Sequence, residues 1–389
     1  MNQGKYVFSQ IMSFIDHNEF LSCVNRYNGD YKVKDFSCWK QFLCMAFGQL
    51  THRESLSDTM VCLSANSVKL YHLGIGKGFS KSTLSKANEN RNWKIYEDLG
   101  MLLITEAKRL YAGDSDLQVD LSNNVFSIDA TTIDLCLSLM PWAKYKKGQA
   151  AVKLHTMLDL KTAIPHLVHI TTGKVHELTA MDLMVFEPDS FYVMDRGYID
   201  FPRFYKIHLS KAFFITRTRT RLSFIRHQSF KCDKNAGVKY DQSVKPTHFY
   251  SAKKYPEKMR RIKYFDRDRK KEFIFLTNNF LMKATEICQL YKHRWKIELF
   301  FKWIKQHLKI KSFWGYSPNA IKTQIWIAIS IYVLIAIIKK KLKLKQSLYE
   351  ILQIVSISIF DKTPINQLFS NTQLQYFKEL EHNQLDMFD

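Results

Sequence analysis

Residues 291–308 read YKHRWKIELFFKWIKQHL. At about 100° per residue, Tyr291, Arg294, Glu298, Lys302 and Lys305 fall within an arc of roughly 80° on one helix. Ile297, Phe301, Ile304 and Leu308 flank that arc on one side, Trp295 and Leu299 on the other. A solvated helix face is normally wide and bordered by core on its far side only. A narrow stripe with apolar shoulders on both flanks, holding one carboxylate among cations, points instead to the wall of a cleft. One carboxylate alone does little chemistry, so its partners must come from elsewhere in the chain.

The composition is that of a folded protein that meets a polyanion. Hydrophobic residues make up 46% of the 389-residue chain and aromatic residues 14%, too apolar for a disordered protein. Lys and Arg total 58 against 36 Asp and Glu, a formal charge of +22. Such an excess favours nucleic acid first and an anionic membrane surface second. The seven cysteines (Cys23, Cys38, Cys44, Cys62, Cys136, Cys232 and Cys288) are scattered and form no C-x2-C pair. Neither a zinc site nor a disulfide framework is indicated, and small thiols in a reducing cytoplasm are expected. The first residues, MNQGKYVFSQIMSF, lack an apolar run bounded by a small-residue cleavage site, so no secretion signal is expected. The uncharged run TQIWIAISIYVLIAII, residues 323–338, is followed at once by KKKLKLK. It falls short of the ~20 residues that span a bilayer, and a buried core helix with a basic end is the expectation.

Residues 1 to about 115 read as helical. The connector HLGIGKGFSKS lacks the G-K-[ST] ending of a phosphate-binding loop, and Ser80 or Ser82 can cap the helix after it. That helix carries Lys81, Lys86, Asn88, Asn90 and Arg91, which suits a helix-turn-helix-like DNA module but also a plain packing domain. From about 120 the texture changes. NVFSIDATTIDLCLSL, AAVKLHTMLDL and IPHLVHITTGKV are strand-like; a helical pattern at TAMDLMVFE, a strand at SFYVMD and an amphipathic helix at FPRFYKIHLSKA follow. This is an α/β order. Residues 213–278 then look all-β and very basic, with ten Lys or Arg between Lys253 and Lys271. Arg217, Arg219 and Arg221 alternate, so a strand would place all three on one face, either as a phosphate-binding surface or as a charged edge.

Metal-assisted phosphodiester chemistry needs two or three carboxylates converging from different elements. Asp129 ends the apolar run Val125–Ile128, and Asp195 ends FYVM. Both positions suit an acid at the mouth of a sheet, although most acids after strands are turn residues. Asp134, Asp159, Asp189 and Asp200 stay open as alternatives on position alone.

Tyr291, Arg294, Glu298 and Lys305 satisfy the pattern Y-x2-R-x3-E-x6-K without a gap. Four specified residues at ~5% each recur by chance on the order of once per 10⁵ positions. With SIDATT around Asp129 and VMDRGYID around Asp195, the chain resembles the bacterial insertion-sequence DDE transposases that carry this signature. The resemblance spans roughly residues 120–320. It implies an α/β fold: an RNase H-like catalytic core over 116–212 and 279–340, interrupted by a basic β-rich insertion over 213–278. A helical, DNA-binding domain over 1–115 precedes the core and a helical tail over 341–389 follows it. By the same resemblance Asp129, Asp195 and Glu298 are the catalytic, metal-holding acids. Two Mg²⁺ ions are implied, with Mn²⁺ able to substitute: Asp129 bridges both, Asp195 completes one site and Glu298 the other. Tyr291, Arg294, Lys302, Lys305, Arg217, Arg219 and Arg221 contact DNA.

The implied activity is a transposase that binds the terminal inverted repeats of an insertion sequence, cleaves at the element ends and joins the 3′ ends to target DNA. The implied partners are double-stranded DNA, at the transposon ends and target, and a second copy of the chain in the DNA complex. No membrane is involved, and a cytoplasmic, nucleoid-associated location is implied. In parts of the family an aromatic of the β-rich insertion, often Trp, receives a flipped base. None of the seven tryptophans (Trp39, Trp93, Trp142, Trp295, Trp303, Trp314, Trp326) lies there, which leaves a hairpin route of cleavage open, with Phe, Tyr or Trp142 as substitutes. Three rival functions remain: first an RNase H-like nuclease without strand transfer, second a non-catalytic DNA-binding derivative, and third a membrane-surface protein. The intact acid trio counts against the second.

Overall fold

The computed structural model describes residues 4–117, 119, 121–218, 222–307 and 313–370. Six helices come first: α1 (Val7–Met12), α2 (His17–Arg26), α3 (Cys38–Leu50), α4 (Leu56–Ala65), α5 (Lys81–Asn90) and α6 (Lys94–Leu110). Four of them begin at a side-chain cap that satisfies a free backbone N–H. Asp16 caps α2, Ser37 caps α3, Ser55 caps α4 and Ser80 caps α5. On α5, Asn88 is buried and accepts from Gln41 at 2.7 Å, while Arg91 donates to Gln41 at 2.9 Å and to the Phe36 carbonyl. Two of the five residues expected to face DNA are therefore committed inward. Their partner Gln41 lies about fifty residues away, beyond the reach of a local reading.

The central sheet follows: β1 (Val125–Leu135), β2 (Lys144–Lys146), β3 (Gln149–Asp159), β4 (Pro165–Thr172), α7 (Glu177–Met181), β5 (Phe191–Met194), α8 (Phe201–Leu209) and β6 (Phe213–Arg217). Then come β7 (Phe224–Ser229), β8 (Val238–Pro246), α9 (Phe249–Lys254), β9 (Met259–Asp266) and β10 (Lys271–Thr277). β3 runs antiparallel to β1 and to β4, whereas β5 is parallel to β1 and β6 parallel to β5. Beyond β6 the same sheet continues antiparallel through β10, β9, β8 and β7. The basic stretch is thus continuous with the central sheet by hydrogen bonding. β6 ends at Arg217, and Arg219 and Arg221 lie outside the described residues.

Side chains alternate between the two faces of a strand, and each face has its own cover. Phe126, Ile128, Tyr192 and Met194 pack with α7 and α8. Val125, Phe191, Val193 and Ile215 face the other way, toward α10 (Ala284–Lys292). On that side Ile133, Leu154 and Leu158 pack with α11 (Trp295–Lys302) and with α12 (Pro318–Lys341). The chain closes with α13 (Leu348–Ser358) and α14 (Ile365–Ser370).

α12 runs 24 residues, longer than the uncharged run suggested, because Ser317 caps it with Pro318 in its first turn and Lys339, Lys340 and Lys341 finish it. Lysines at that end favour the helix dipole. By length and composition it could cross a membrane, yet 94% of its most apolar window is buried in the protein. It packs against α3, α5, α6 and α13. A side chain at Gly100 of α6 would meet the Trp326 indole at 2.8 Å, so glycine there admits the close approach of the two helices. One apolar core runs from Val7 through α12 to Phe369, binding the first helices to the last.

Candidate active site

The strand register brings the first two acids together. The parallel ladder between β1 and β5 ends at Ile128 opposite Met194; Asp129 is the next residue of β1 and Asp195 the first residue past β5. By alternation both leave the sheet on the face covered by α10 and α11. Asp195 turns the chain, its carboxylate accepting from the Gly197 N–H. A Cβ at Gly197 would sit 2.8 Å from that carboxylate, so any larger residue there would shift the acid. Thr216 of β6 donates to the Asp195 carbonyl at 3.0 Å and ties down the same turn.

The stretch that suggested a single helix is broken. α10 ends at Lys292 and α11 begins at Trp295. Neither Gly nor Pro causes the break: the N–H groups of His293, Arg294, Lys296 and Ile297 each bond the carbonyl three residues back, the tight 3₁₀ pattern. α11 then loosens into a π turn at Trp303–His307. Only one apolar shoulder is buried. Ile297, Phe301 and Ile304 pack in the core, whereas Trp295 is 47% and Leu299 36% exposed. The charged stripe therefore lies along a cleft edge open on the Trp295 side. Leu308 falls outside the described residues.

Arg294 stands at the break and binds the site together. It donates to Glu298, one turn on, and to Asp129 at 3.5 Å. Burial alone would lower its guanidinium, but Glu298, Tyr291, Asp129 and Asp195 together hold it above its ordinary value. Burial pushes the Asp129 carboxyl up to about 7; Arg294 and the Ala130 N–H pull it back, and Glu298 and Asp195 add to the rise. The Ala130 N–H lies 2.8 Å from Asp129. Tyr291 is half-buried, its ring 5.0 Å from that of Phe275 and 5.9 Å from the Arg294 guanidinium. Lys305 reaches across the sheet to the Thr132 carbonyl of β1 at 2.8 Å, and Lys302 is half-buried at the end of α11. Arg217 lies level with Asp195 on the next strand, its guanidinium 4.9 Å over the Phe273 ring.

Among the described residues no three His, Cys, Asp or Glu side chains are gathered closely enough to hold one metal ion. Arg294 supplies the positive charge between Asp129 and Glu298. The donors are nonetheless all carboxylate oxygens, the class that Mg²⁺ and Mn²⁺ take. One oxygen of Glu298 is buried without a hydrogen-bond partner, as is the Arg294 Nε. An unpartnered anionic oxygen on an acid that shares Arg294 with Asp129 fits a hard dication.

A model described as the transposase DDE domain matches residues 121–334, over half of the chain and inclusive of all three acids. The chain belongs to the DDE transposases of bacterial insertion sequences. It is an enzyme of that type. A Sinorhizobium fredii protein named as a transposase, y4zB, is 30% identical over 270 residues, covering 68% of this chain and 75% of its own. A Geobacillus stearothermophilus protein named as a transposase for insertion sequence element IS5377 is 25% identical, over 66% of this chain and 67% of its own. A Synechocystis protein named as a transposase for element IS4SA is also 25% identical, over 68% and 73%. Residues 3–76, spanning α1 to α4, match a domain of unknown function (DUF4372). Membership implies an RNase H-like core within the mixed α/β fold.

Three further residues border the candidate site. Gly197 was visible inside VMDRGYID but carried no assigned role. Tyr198 is buried beneath the acids, and burial together with Asp129, Glu177 and Asp195 raises its hydroxyl far above the usual range. Thr156 lies directly opposite Asp129 on β3, and nothing local marks it.

Proposed function

We propose that this transposase binds the terminal inverted repeats of its element, cleaves DNA at the ends and joins the 3′ ends to target DNA. The observation that carries the reading is the level pairing of Asp129 and Asp195 on adjacent parallel strands, with Glu298 linked to Asp129 through Arg294. Asp129, Asp195 and Glu298 would together hold the two Mg²⁺ ions, with Mn²⁺ able to substitute. Such ions, when bound, polarise the attacking water in cleavage or the 3′-hydroxyl in joining and stabilise the leaving oxygen. Arg294 then exchanges carboxylate partners for phosphate, to which a guanidinium offers a bidentate grip. Lys302, Lys305, Tyr291 and Arg217 hold the flanking strand, with Arg219 and Arg221 beside them in sequence. Membership of the Y-x2-R-x3-E-x6-K group rests on Tyr291, Arg294, Glu298 and Lys305 themselves.

The division into a DNA-binding segment (1–115), a core (116–212 and 279–340), an insertion (213–278) and a tail (341–389) belongs to the same reading. So do a homodimer on DNA and a cytoplasmic, nucleoid-associated location without a membrane. The test is incubation of the purified protein with its element's end DNA, Mg²⁺ and a target duplex. Cleaved ends together with joined products support the reading. Cleavage without joining supports an RNase H-like nuclease, and retention of end DNA with neither product supports a non-catalytic binding protein.

A further inference from the structure

Thr156 is fully buried, and its hydroxyl has no hydrogen-bond partner. A buried hydroxyl left unpaired costs stability, and its shape could be supplied by valine at no such cost. Its place is specific. In the antiparallel β1–β3 ladder Thr156 is directly opposite Asp129, and opposite residues project from the same face with Cβ atoms about 5 Å apart. Ser127, two residues before Asp129 on that face, is likewise fully buried with an unpaired hydroxyl. The neighbours of Thr156 on that face, Leu154 and Leu158, are ordinary core packed with α11. Four of the buried unpaired polar atoms among the described residues thus belong to residues near this one acid: Thr156 and Ser127 on the sheet, and Arg294 Nε and one Glu298 oxygen on the helical side.

We propose that Thr156 is a positioning residue for the Asp129 carboxylate, its hydroxyl donating to that carboxylate once Arg294 gives up its own bond to Asp129. With Arg294 in place, Asp129 is held by the Ala130 N–H on one oxygen and by Arg294 on the other. When Arg294 moves to phosphate, the second oxygen loses its donor. Thr156, stiff about its first side-chain torsion because it is β-branched, is the hydroxyl opposite to replace it. The carboxylate is then fixed in the orientation that holds a cation. The inference rests on the reading of Asp129 as a metal-holding acid.

The test compares wild type, Thr156→Val, Thr156→Ser and Asp129→Asn as full-length proteins. Each is measured for thermal midpoint, for Mn²⁺ binding with end DNA present, by loss of the free-ion resonance signal beyond that caused by the DNA alone, and for single-turnover cleavage of end DNA. Thr156→Val should melt at or above the wild-type temperature, bind Mn²⁺ at least threefold more weakly and cleave at least tenfold more slowly. Thr156→Ser should restore binding and cleavage. Wild-type Mn²⁺ binding by Thr156→Val overturns the proposal. A lowered midpoint that serine does not correct, with weakened binding, also overturns it, because the residue then acts through packing. Failure of the underlying reading is separate: Asp129→Asn would then bind Mn²⁺ as wild type does.

Discussion

Asp129 and Asp195 leave adjacent parallel strands at the same level, each one residue past the last rung that joins Ile128 to Met194. Neighbouring strands are about 4.8 Å apart, so two carboxylates on one face at that level repel unless a cation lies between or above them. In this structure the cation is Arg294, held at the α10–α11 break and bonded to Asp129 and Glu298. The tightening of the polypeptide at His293–Arg294 falls where this guanidinium meets both acids.

Replacing Arg294 tests that balance. Arg294→Ala removes the shared counter-charge of two part-buried acids. Its thermal midpoint should fall, and single-turnover cleavage should drop more than tenfold, since a positioned cation near developing charge is worth a few kcal/mol. Arg294→Lys keeps the charge but not the fork, so it should recover the midpoint and little of the cleavage. Equal recovery of both by lysine would mean that charge alone matters.

Lys305 should behave differently from Arg294. Its bond to the Thr132 carbonyl joins the π turn to β1, and losing one such bond costs about 1 kcal/mol. Lys305→Ala should therefore melt within a few degrees of wild type yet cleave at least tenfold more slowly. A large fall in midpoint with normal cleavage would make the residue a brace only.

DNA affinity should fall steeply with salt. A protein of formal charge +22 that makes ~6–10 phosphate contacts loses ~10³–10⁵ in affinity between 50 and 200 mM salt. Changing Arg217, Arg219 and Arg221 together to Ala should reduce the slope of log affinity against log salt. An unchanged slope would remove that segment from the DNA surface.

Acid stability should be set in part by His155, which is buried with one ring nitrogen on the Thr171 hydroxyl at 2.9 Å and the other without a partner. Burial holds its imidazole down at about 4, with His169 and Lys153 adding to the effect. The unfolded chain takes up that proton near pH ~6.5. The contribution to stability is therefore complete above that pH and is lost as pH falls from ~6.5 toward 4, on the order of a few kcal/mol. His155→Gln should flatten the fall of the thermal midpoint over that window. An equally steep fall in the variant would assign the acid limb to other groups.

Much of the catalytic region was legible because its signals are local. Each of the three long apolar runs after residue 120 became a strand, and Asp129 and Asp195 follow apolar residues whose alternation already fixes a face. Glu298 was legible because Arg294 lies one turn before it. What stayed hidden depends on pairing between distant segments. That β6 joins β5 in parallel, and so ties the basic stretch to the central sheet, is a non-local choice. Asn88 and Arg91 look solvent-facing until Gln41 and Asn319 are placed against them. Thr156 has meaning only through a register in which it opposes Asp129. The burial of the apolar helix was legible from its short uncharged run, whereas its full extent, Pro318–Lys341, and its packing against α3, α5, α6 and α13 were not.

The central claim is that Asp129, Asp195 and Glu298 act as one metal-holding set. The most direct measurement is single-turnover cleavage of end DNA in Mg²⁺ by wild type, Asp129→Asn, Asp195→Asn and Glu298→Gln, with end-DNA affinity measured on the same preparations. The account predicts that each substitution abolishes cleavage while affinity stays within about threefold of wild type, because phosphate contacts elsewhere carry the binding. Cleavage at the wild-type rate by any one of the three variants would contradict it.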